Sequence, residues 1–147
     1  MILETNSPTE TYEIGLEMGR KAVSGQVYAL VGDLGVGKTT FTQGFARGLG
    51  IEDVVCSPTF TIVQEYLSGK FPFYHLDVYR IGDTTELEEI GFEEYVHGEG
   101  VTLIEWANLI DEALPEKHIE ITIEKDLDRG FDYRRITIGE KNESISN

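Results

Sequence analysis

A glycine-rich loop constrains this chain more than any other feature. Residues 32–39 match the phosphate-binding pattern G-x-x-x-x-G-K-[ST] at every fixed position. An apolar run at residues 26–31 precedes the loop and predicts a buried strand. Phe41, Phe45 and Leu49 then recur at helical spacing. A strand, a glycine loop and a helix in this order place backbone N–H groups and a helix N-terminus around a phosphate chain.

The loop therefore predicts a binding site for a nucleoside triphosphate. Lys38 is expected to reach the outer phosphates, and the hydroxyl of Thr39 is expected to bind Mg²⁺. The plainer alternative is a chance glycine turn between a strand and a helix, against which the agreement of pattern and context argues. The predicted nucleotide-binding residues of this segment are Gly32, Asp33, Leu34, Gly35, Val36, Gly37, Lys38, Thr39 and Thr40.

Length and composition are typical of one soluble globular domain. The chain has 147 residues, of which 40% are hydrophobic and 27% charged. No apolar run has the length of a membrane span, and the first residues lack the basic and apolar regions of a secretory signal. Because Cys56 is the only cysteine, no internal disulfide can form, and we expect a reducing cytoplasm as the compartment.

The charge is strongly negative and unevenly distributed. A net charge of −15 should repel nucleic acid and anionic membranes. Between Arg80 and Lys117 the chain has eleven carboxylates and neither lysine nor arginine. We favour the interpretation of this acidic segment as a solvated face, and the alternative is a docking surface for a basic partner protein.

The order of predicted elements indicates a mixed α/β fold. Ser7 and Glu10 form a capping pattern that begins a first helix, and residues 59–66 and 71–79 have the spacing of a hairpin, with Pro72 favouring an edge position for the second strand. Further elements are expected at residues 54–56, 84–90, 101–104, 107–114, 118–124 and 133–138.

These elements predict a single-domain P-loop NTPase fold with a mixed sheet and an antiparallel hairpin extension. Residues 1–138 would form the P-loop ATPase domain. Residues 139–147 would form a polar C-terminal tail that frays.

Two acidic residues are candidates for the chemistry that a P-loop alone does not perform. Glu105 follows a buried apolar strand, as in a Walker B motif, with Glu where Asp is commoner. Asp77 lies on an alternating strand and could orient an attacking water, with Arg80 paired to it or to phosphate. The alternatives are a solvated acid at a strand end for Glu105 and a surface ion pair for Asp77. We interpret His75 as structural, because no His/Cys cluster surrounds it, and Trp106 as a core residue.

The residues alone do not decide the role of Thr59 or which nucleotide base the chain prefers. Thr59 could close over the γ-phosphate and Mg²⁺ as a switch threonine does, or it could belong to a Ser-Pro turn, and the residues favour neither. The chain has no Asn-Lys-x-Asp motif for guanine, which weakly favours adenine.

Four segments together resemble the bacterial TsaE family of small P-loop ATPases in tRNA threonylcarbamoyladenosine biosynthesis. They are residues 32–41, 57–61 (SPTFT), 75–80 (HLDVYR) and 104–106 (IEW). The resemblance runs from the first helix to the last strand. Two residues depart from the family pattern: Ala107 stands where proline is usual, and Phe131 stands where a basic residue is common.

The resemblance implies roles for individual residues. Thr39 and Glu105 would hold Mg²⁺, the loop amides and Lys38 would hold the phosphates of ATP, and Asp77 and Thr59 would lie near the γ-phosphate. The family places adenine between the start of the chain and a late turn. By position the adenine-binding residues are the segment from Pro8 to Thr11, and Gly130.

The resemblance also implies a role for the chain. It would be an accessory ATPase that hydrolyses ATP to support the TsaD and TsaB proteins, which transfer a threonylcarbamoyl group to adenosine 37 of tRNA, and it would meet tRNA only through that complex. Two alternatives stay open. A small-molecule kinase would need an acceptor pocket and an arginine-rich lid, and the acidic segment occupies the lid region. A nucleotide-gated binding module would hydrolyse poorly and act through its conformational states.

Overall fold

The computed structural model describes residues 1–32, 37–53, 55, 63–79, 81 and 84–142. These described residues form seven strands, four α-helices and two 3₁₀ segments. In chain order the elements are β1 (Ile2–Thr5), α1 (Pro8–Lys21), β2 (Val27–Val31), α2 (Lys38–Gly48), β3 (Val63–Tyr66), β4 (Phe73–Asp77), α3 (Thr84–Glu89), α4 (Phe92–Val96), β5 (Val101–Glu105), a first 3₁₀ segment (Ala107–Ala113), β6 (Lys117–Lys125), a second 3₁₀ segment (Leu127–Arg129) and β7 (Arg134–Asn142).

All seven strands join one mixed sheet in the order β1-β7-β6-β2-β5-β4-β3. Strands β6, β2, β5 and β4 are mutually parallel, whereas β7 and β1 continue the sheet antiparallel on one side and β3 does so on the other. The structure thus confirms the mixed α/β fold and the antiparallel hairpin of β3 and β4.

Apolar layers cover both faces of the sheet. On one face, the buried side of α2 contributes Phe41, Phe45 and Leu49, all fully buried at the predicted helical spacing. On the other face, α3, α4 and the first 3₁₀ segment cover Leu76 and Ile104. Because both faces are covered, the central strands are nearly continuous apolar runs. Among the described residues, no helix combines the length and the apolar character that crossing a bilayer requires.

Helices α1 and α2 pack against each other through glycines. A β-carbon placed on any of Gly15, Gly19, Gly44 or Gly48 would lie 2.1 to 2.2 Å from a backbone oxygen of the opposite helix. Real β-carbons do not approach an oxygen so closely, so only glycine allows this helix separation. The contact fixes α1 against the helix that follows the phosphate-binding loop.

We expect Gly44→Ala to lower the free energy of unfolding by about 3 kcal/mol, the upper part of the range for overpacking. The new methyl group would meet the backbone oxygen of Tyr12 at 2.1 Å, so the two helices would have to separate. The helix propensity of alanine offsets only about 1 kcal/mol of this. Urea unfolding checks the value, and Gly139→Ala, whose β-carbon would meet nothing within 4 Å, is the control. An unchanged midpoint for Gly44→Ala would contradict the packing argument.

Several sequence expectations need correction. Pro72 does not mark an edge strand, because it precedes β4 and its carbonyl accepts from Val101 N, while β3 forms the edge. The last strand continues to Asn142, so residues 139–142 pair with β6 and are not a frayed tail. Strand β1 and helix α4 were not expected. Val55 lies outside any strand, and its neighbours at 54 and 56 lie outside the described residues.

Candidate functional site

The loop and both candidate carboxylates meet at one edge of the sheet. Strand β2 ends at Val31, directly before the loop, and Leu30 pairs with Glu105 of β5. On the other side of β5, Glu105 pairs in register with Asp77 of β4. Because these three strands are parallel, their carboxyl ends lie side by side, which is where open α/β sheets bind ligands.

The first residues of α2 place a lysine inside this edge. Gly37 precedes the helix with a φ of 99°, a left-handed conformation that glycine adopts without strain. Lys38 is 6% exposed, its Nζ donates to the carbonyl of Gly32 at 2.7 Å, and it lies 3.8 Å from the ring centroid of Trp106. Thr39 is exposed beside it, and Thr40 is half-buried. The predicted positions 33–36 lie outside the described residues.

Glu105 is buried and paired with a histidine. Its side chain is 4% exposed, and its Oε2 is hydrogen-bonded to Nε2 of His75 at 2.6 Å. His75 is 1% exposed and stacks on Phe73. The alternative of a solvated acid at a strand end is therefore wrong, because Glu105 lies within β5 among fully buried neighbours. The structural interpretation of His75 agrees with its burial.

Asp77 stands next to Glu105 in a half-buried position. Its Oδ1 accepts from the backbone N–H of Tyr79 at 2.9 Å. Burial raises the pKa of Asp77 above 3.8, the hydrogen bond from Tyr79 lowers it, and the charge of Glu105 raises it further. Lys38 is close enough to lower this pKa as well. Two carboxylates and one lysine are thus within electrostatic range of each other.

We expect Asp77→Asn to raise the melting temperature near neutral pH. Because the folded-state pKa of Asp77 is raised, its ionised form opposes folding above that pKa, and the penalty disappears as the pH falls through it. Asparagine removes the charge and keeps an oxygen for Tyr79. Melting curves of both proteins between about pH 4 and 7 should show a gap that narrows towards acid. Asp111→Asn, at an exposed site, is the control, and a gap independent of pH would contradict the prediction.

Trp106 connects the site to the core. It is half-buried, packs against the apolar cluster under α3 and α4, and lies between Lys38 and Tyr79, whose ring centroid is 4.8 Å away. Its φ of 62° is the one left-handed conformation of a non-glycine residue among those described. Strain of this kind collects at functional sites. The core prediction for Trp106 is therefore incomplete, since the ring also faces the lysine ammonium.

The start of α1 and the start of β7 both approach the loop. A β-carbon built on Gly37 would lie 3.9 Å from Cγ2 of Thr11 and 4.0 Å from Nε of Arg134. Thr11 is buried and its hydroxyl is 2.8 Å from that of Thr5. The sequence did not identify Arg134 as a site residue, because it shows only that Arg134 lies at the start of the last strand. The pairing of Thr5 with Arg134 between β1 and β7 brings it there.

The remaining predicted positions contribute less to the described geometry. Pro8 is exposed at the first turn of α1, and Gly130 is exposed in the turn before β7, with a φ of 132°. Arg129 in the same turn contacts Glu4 of β1 at 2.6 Å, which ties this turn to the strand that leads into α1. Thr59 and Arg80 lie outside the described residues, so their roles stay predictions.

The oxygen donors at this edge suit a hard cation. The hydroxyl of Thr39 and the carboxylates of Glu105 and Asp77 are of the type that Mg²⁺ prefers, and their number leaves room for phosphate and water oxygens. Among the described residues, no group of three or more His, Cys, Asp and Glu side chains could hold a metal by itself.

A cavity of about 280 Å³ lies at the opposite edge of the sheet. The start of β2, the start of β6 and the end of β7 line it, including Val27, His118 and Lys141. None of the predicted site residues contributes to it. The candidate catalytic residues therefore lie at the loop edge, where the carboxylates and the lysine converge.

The chain is similar to known proteins over most of its length. The family model described as "Threonylcarbamoyl adenosine biosynthesis protein TsaE" matches residues 5–136. The tRNA threonylcarbamoyladenosine biosynthesis protein TsaE of Bacillus subtilis (strain 168) is 52% identical over 133 residues, covering 90% of this chain and 81% of the relative. The protein of the same name from Treponema pallidum (strain Nichols) is 40% identical, covering 81% of this chain and 87% of the relative.

A solved structure shows the same architecture. The crystal structure of YdiB from Bacillus subtilis superimposes with a TM-score of 0.81 at 45% sequence identity, covering 96% of this chain and 84% of that one. The residues that the family model matches include the loop, Glu105, Asp77 and Arg134. On the family model and these similarities, the chain belongs to the TsaE family.

Proposed function

We propose that this chain is a Mg²⁺-dependent ATPase that acts in tRNA threonylcarbamoyladenosine biosynthesis. The observation that carries the proposal is the convergence of Lys38, Glu105 and Asp77 at the loop edge. The four segments that resemble the family and the match over residues 5–136 support the same assignment. The single cysteine is consistent with work in the reducing cytoplasm.

Each residue has a proposed task. The N-terminus of α2 and Lys38 bind the phosphates, because unpaired N–H groups and a buried ammonium attract anions. Thr39 and Glu105 hold Mg²⁺, which when bound neutralises charge that develops on the transferred phosphate. Asp77 orients the attacking water. Thr59 is proposed to approach the γ-phosphate.

The adenine end of the nucleotide is assigned to the start of α1 and the late turn. Pro8, Thr11 and Gly130 are the proposed residues, and Thr11 already lies beside Gly37 at the end of the loop. Phe131 is 81% exposed in the same turn, where the family commonly has a basic residue. Arg134, close to Gly37, supplies a positive charge three residues later.

We propose that the chain supports the TsaD and TsaB proteins and does not itself transfer the threonylcarbamoyl group. A net charge of −15 argues against direct tRNA binding. Of the carboxylates in the acidic segment between Arg80 and Lys117 that the structure describes, all are solvent-exposed except the buried Glu105 and the half-buried Glu86. That exposed face is suited to a basic partner surface.

The isolated chain is expected to hydrolyse ATP slowly and to bind tRNA weakly. An arginine finger contributes roughly a thousandfold or more to such reactions. Arg134, which lies near Gly37, already donates to the carbonyls of Phe131 and Tyr133. Filter binding of tRNA and ATPase rates, each with and without the TsaD–TsaB pair, test the proposal. Tight, salt-sensitive tRNA binding by the chain alone, or fast hydrolysis that the pair does not change, would count against it.

A further inference from the structure

We propose that His75 is a positioning residue that holds the Glu105 carboxylate for metal binding, an inference that rests on the proposed function. The two side chains project from neighbouring parallel strands, β4 and β5. Nε2 of His75 and Oε2 of Glu105 are 2.6 Å apart, and the two side chains are 1% and 4% exposed. The pair therefore lies in the protein interior, and one of its members, Glu105, is a proposed metal ligand.

The chemistry of the pair determines the direction of this hydrogen bond. The ionised carboxylate, which is the form that binds a metal, only accepts, so in that form Nε2 of His75 carries the hydrogen and donates it to Glu105. The ring is held against Phe73, with centroids 6.2 Å apart and planes inclined by 11°. Nδ1 of His75 is buried and has no hydrogen-bond partner among the described residues. Within the described structure, the polar interaction of this ring is thus directed at Glu105 alone.

Such a bond has a specific consequence for a metal ligand. It fixes Oε2, and with it the plane of the carboxylate, so that the lone pairs of Oε1 are presented in one orientation. Partners that orient a metal ligand typically contribute 10- to 100-fold in metal affinity. Without His75, Glu105 would be a desolvated carboxylate with freedom to turn, next to the second carboxylate of Asp77.

Two variants separate the hydrogen bond from simple packing. His75→Gln keeps an N–H donor at similar reach, whereas His75→Met fills similar space without one. Mn²⁺ binding to the protein–ADP complex, measured by electron paramagnetic resonance, is expected to weaken about tenfold in His75→Met and to stay near the original in His75→Gln. Affinity for fluorescent ADP in the presence of EDTA should be unchanged in both, because the loop still binds the phosphates.

The control is a second histidine–glutamate pair outside the site. His97 Nε2 contacts Glu93 Oε2 at 2.8 Å on the surface of α4, with both side chains more than half exposed. His97→Met should leave Mn²⁺ affinity unchanged. In a Glu105→Gln background, His75→Met should have no further effect, because the carboxylate through which it acts is already gone.

The outcomes distinguish this inference from the function on which it rests. Wild-type Mn²⁺ affinity in His75→Met, or an equal loss in His75→Gln, would overturn the positioning role while the wild-type chain still binds nucleotide. Failure of the wild-type chain to bind nucleotide would overturn both. If His75→Met does not fold, ¹⁵N NMR of the wild-type ring decides: we expect hydrogen on Nε2 and a change of its resonance on adding Mg²⁺ and ADP, whereas hydrogen on Nδ1 alone would exclude the proposed bond.

Discussion

Lys38→Ala is expected to abolish measurable ATP binding while the fold persists. The ammonium of Lys38 is buried at the start of α2, between the Gly32 carbonyl at one end of the loop and the Trp106 ring. A charged hydrogen bond to phosphate in such a site is among the stronger polar contacts in proteins. Fluorescent nucleotide titration measures the loss.

The stability of this variant needs its own control. The contact with Trp106 contributes about 0.5 to 2 kcal/mol, so Lys38→Ala should melt at a moderately lower temperature. Lys70 is a matched residue outside the site, since its Nζ also donates to a carbonyl, that of Arg20, at 2.7 Å and lies 5.7 Å from the ring of Phe71. Lys70→Ala should bind ATP normally. Unchanged affinity in a folded Lys38→Ala protein would remove the P-loop assignment.

Glu105→Gln is expected to keep nucleotide binding and lose most Mg²⁺-dependent hydrolysis. The two effects separate because the loop and Lys38 are proposed to bind phosphate, whereas the Glu105 carboxylate lies at the sheet edge, where it is proposed to bind the metal. The expected loss is on the order of a hundredfold or more, as when one electrostatic contact to a transition state is removed. Single-turnover hydrolysis and nucleotide titration measure the two effects separately.

Glutamine is preferable to alanine at this position. It retains an oxygen that accepts from His75 Nε2, so the buried histidine keeps a partner and the fold should be little affected. Glu120→Gln, a half-buried change on β6 of the same sheet, is the control and should hydrolyse ATP normally. Near-normal turnover in Glu105→Gln would mean that the carboxylate has only a structural role.

Local sequence patterns predicted the elements whose causes are local. Ser7 caps α1 as expected, accepting from the N–H of Glu10 at 3.2 Å, and Gly50 follows α2 with the left-handed φ of 84° that such an end requires. Strand β5 and the isoleucines of β6 followed from apolar runs and alternation. The loop motif and the order of the four segments also indicated the family.

Local sequence patterns could not predict which residues are neighbours across the sheet. Nothing near Asp77 in the chain shows that it pairs with Glu105, or that His75 reaches the same carboxylate, because each contact joins strands whose order is decided by the packing of the whole sheet. The same holds for Arg134, which reaches Gly37 because β7 lies antiparallel between β1 and β6.

The sequence by itself therefore determined the glycine-rich loop motif, the types of the main elements and the candidate residues for the chemistry. These follow from spacing within one segment, where neighbouring residues specify backbone conformation and the exposed face. The tertiary structure alone decided that Glu105 is buried against His75, that the glycines of α1 and α2 are in backbone contact, and that Thr11 and Arg134 lie beside Gly37. Those contacts join residues far apart in the chain, and only the burial of apolar surface between elements selects which of them meet.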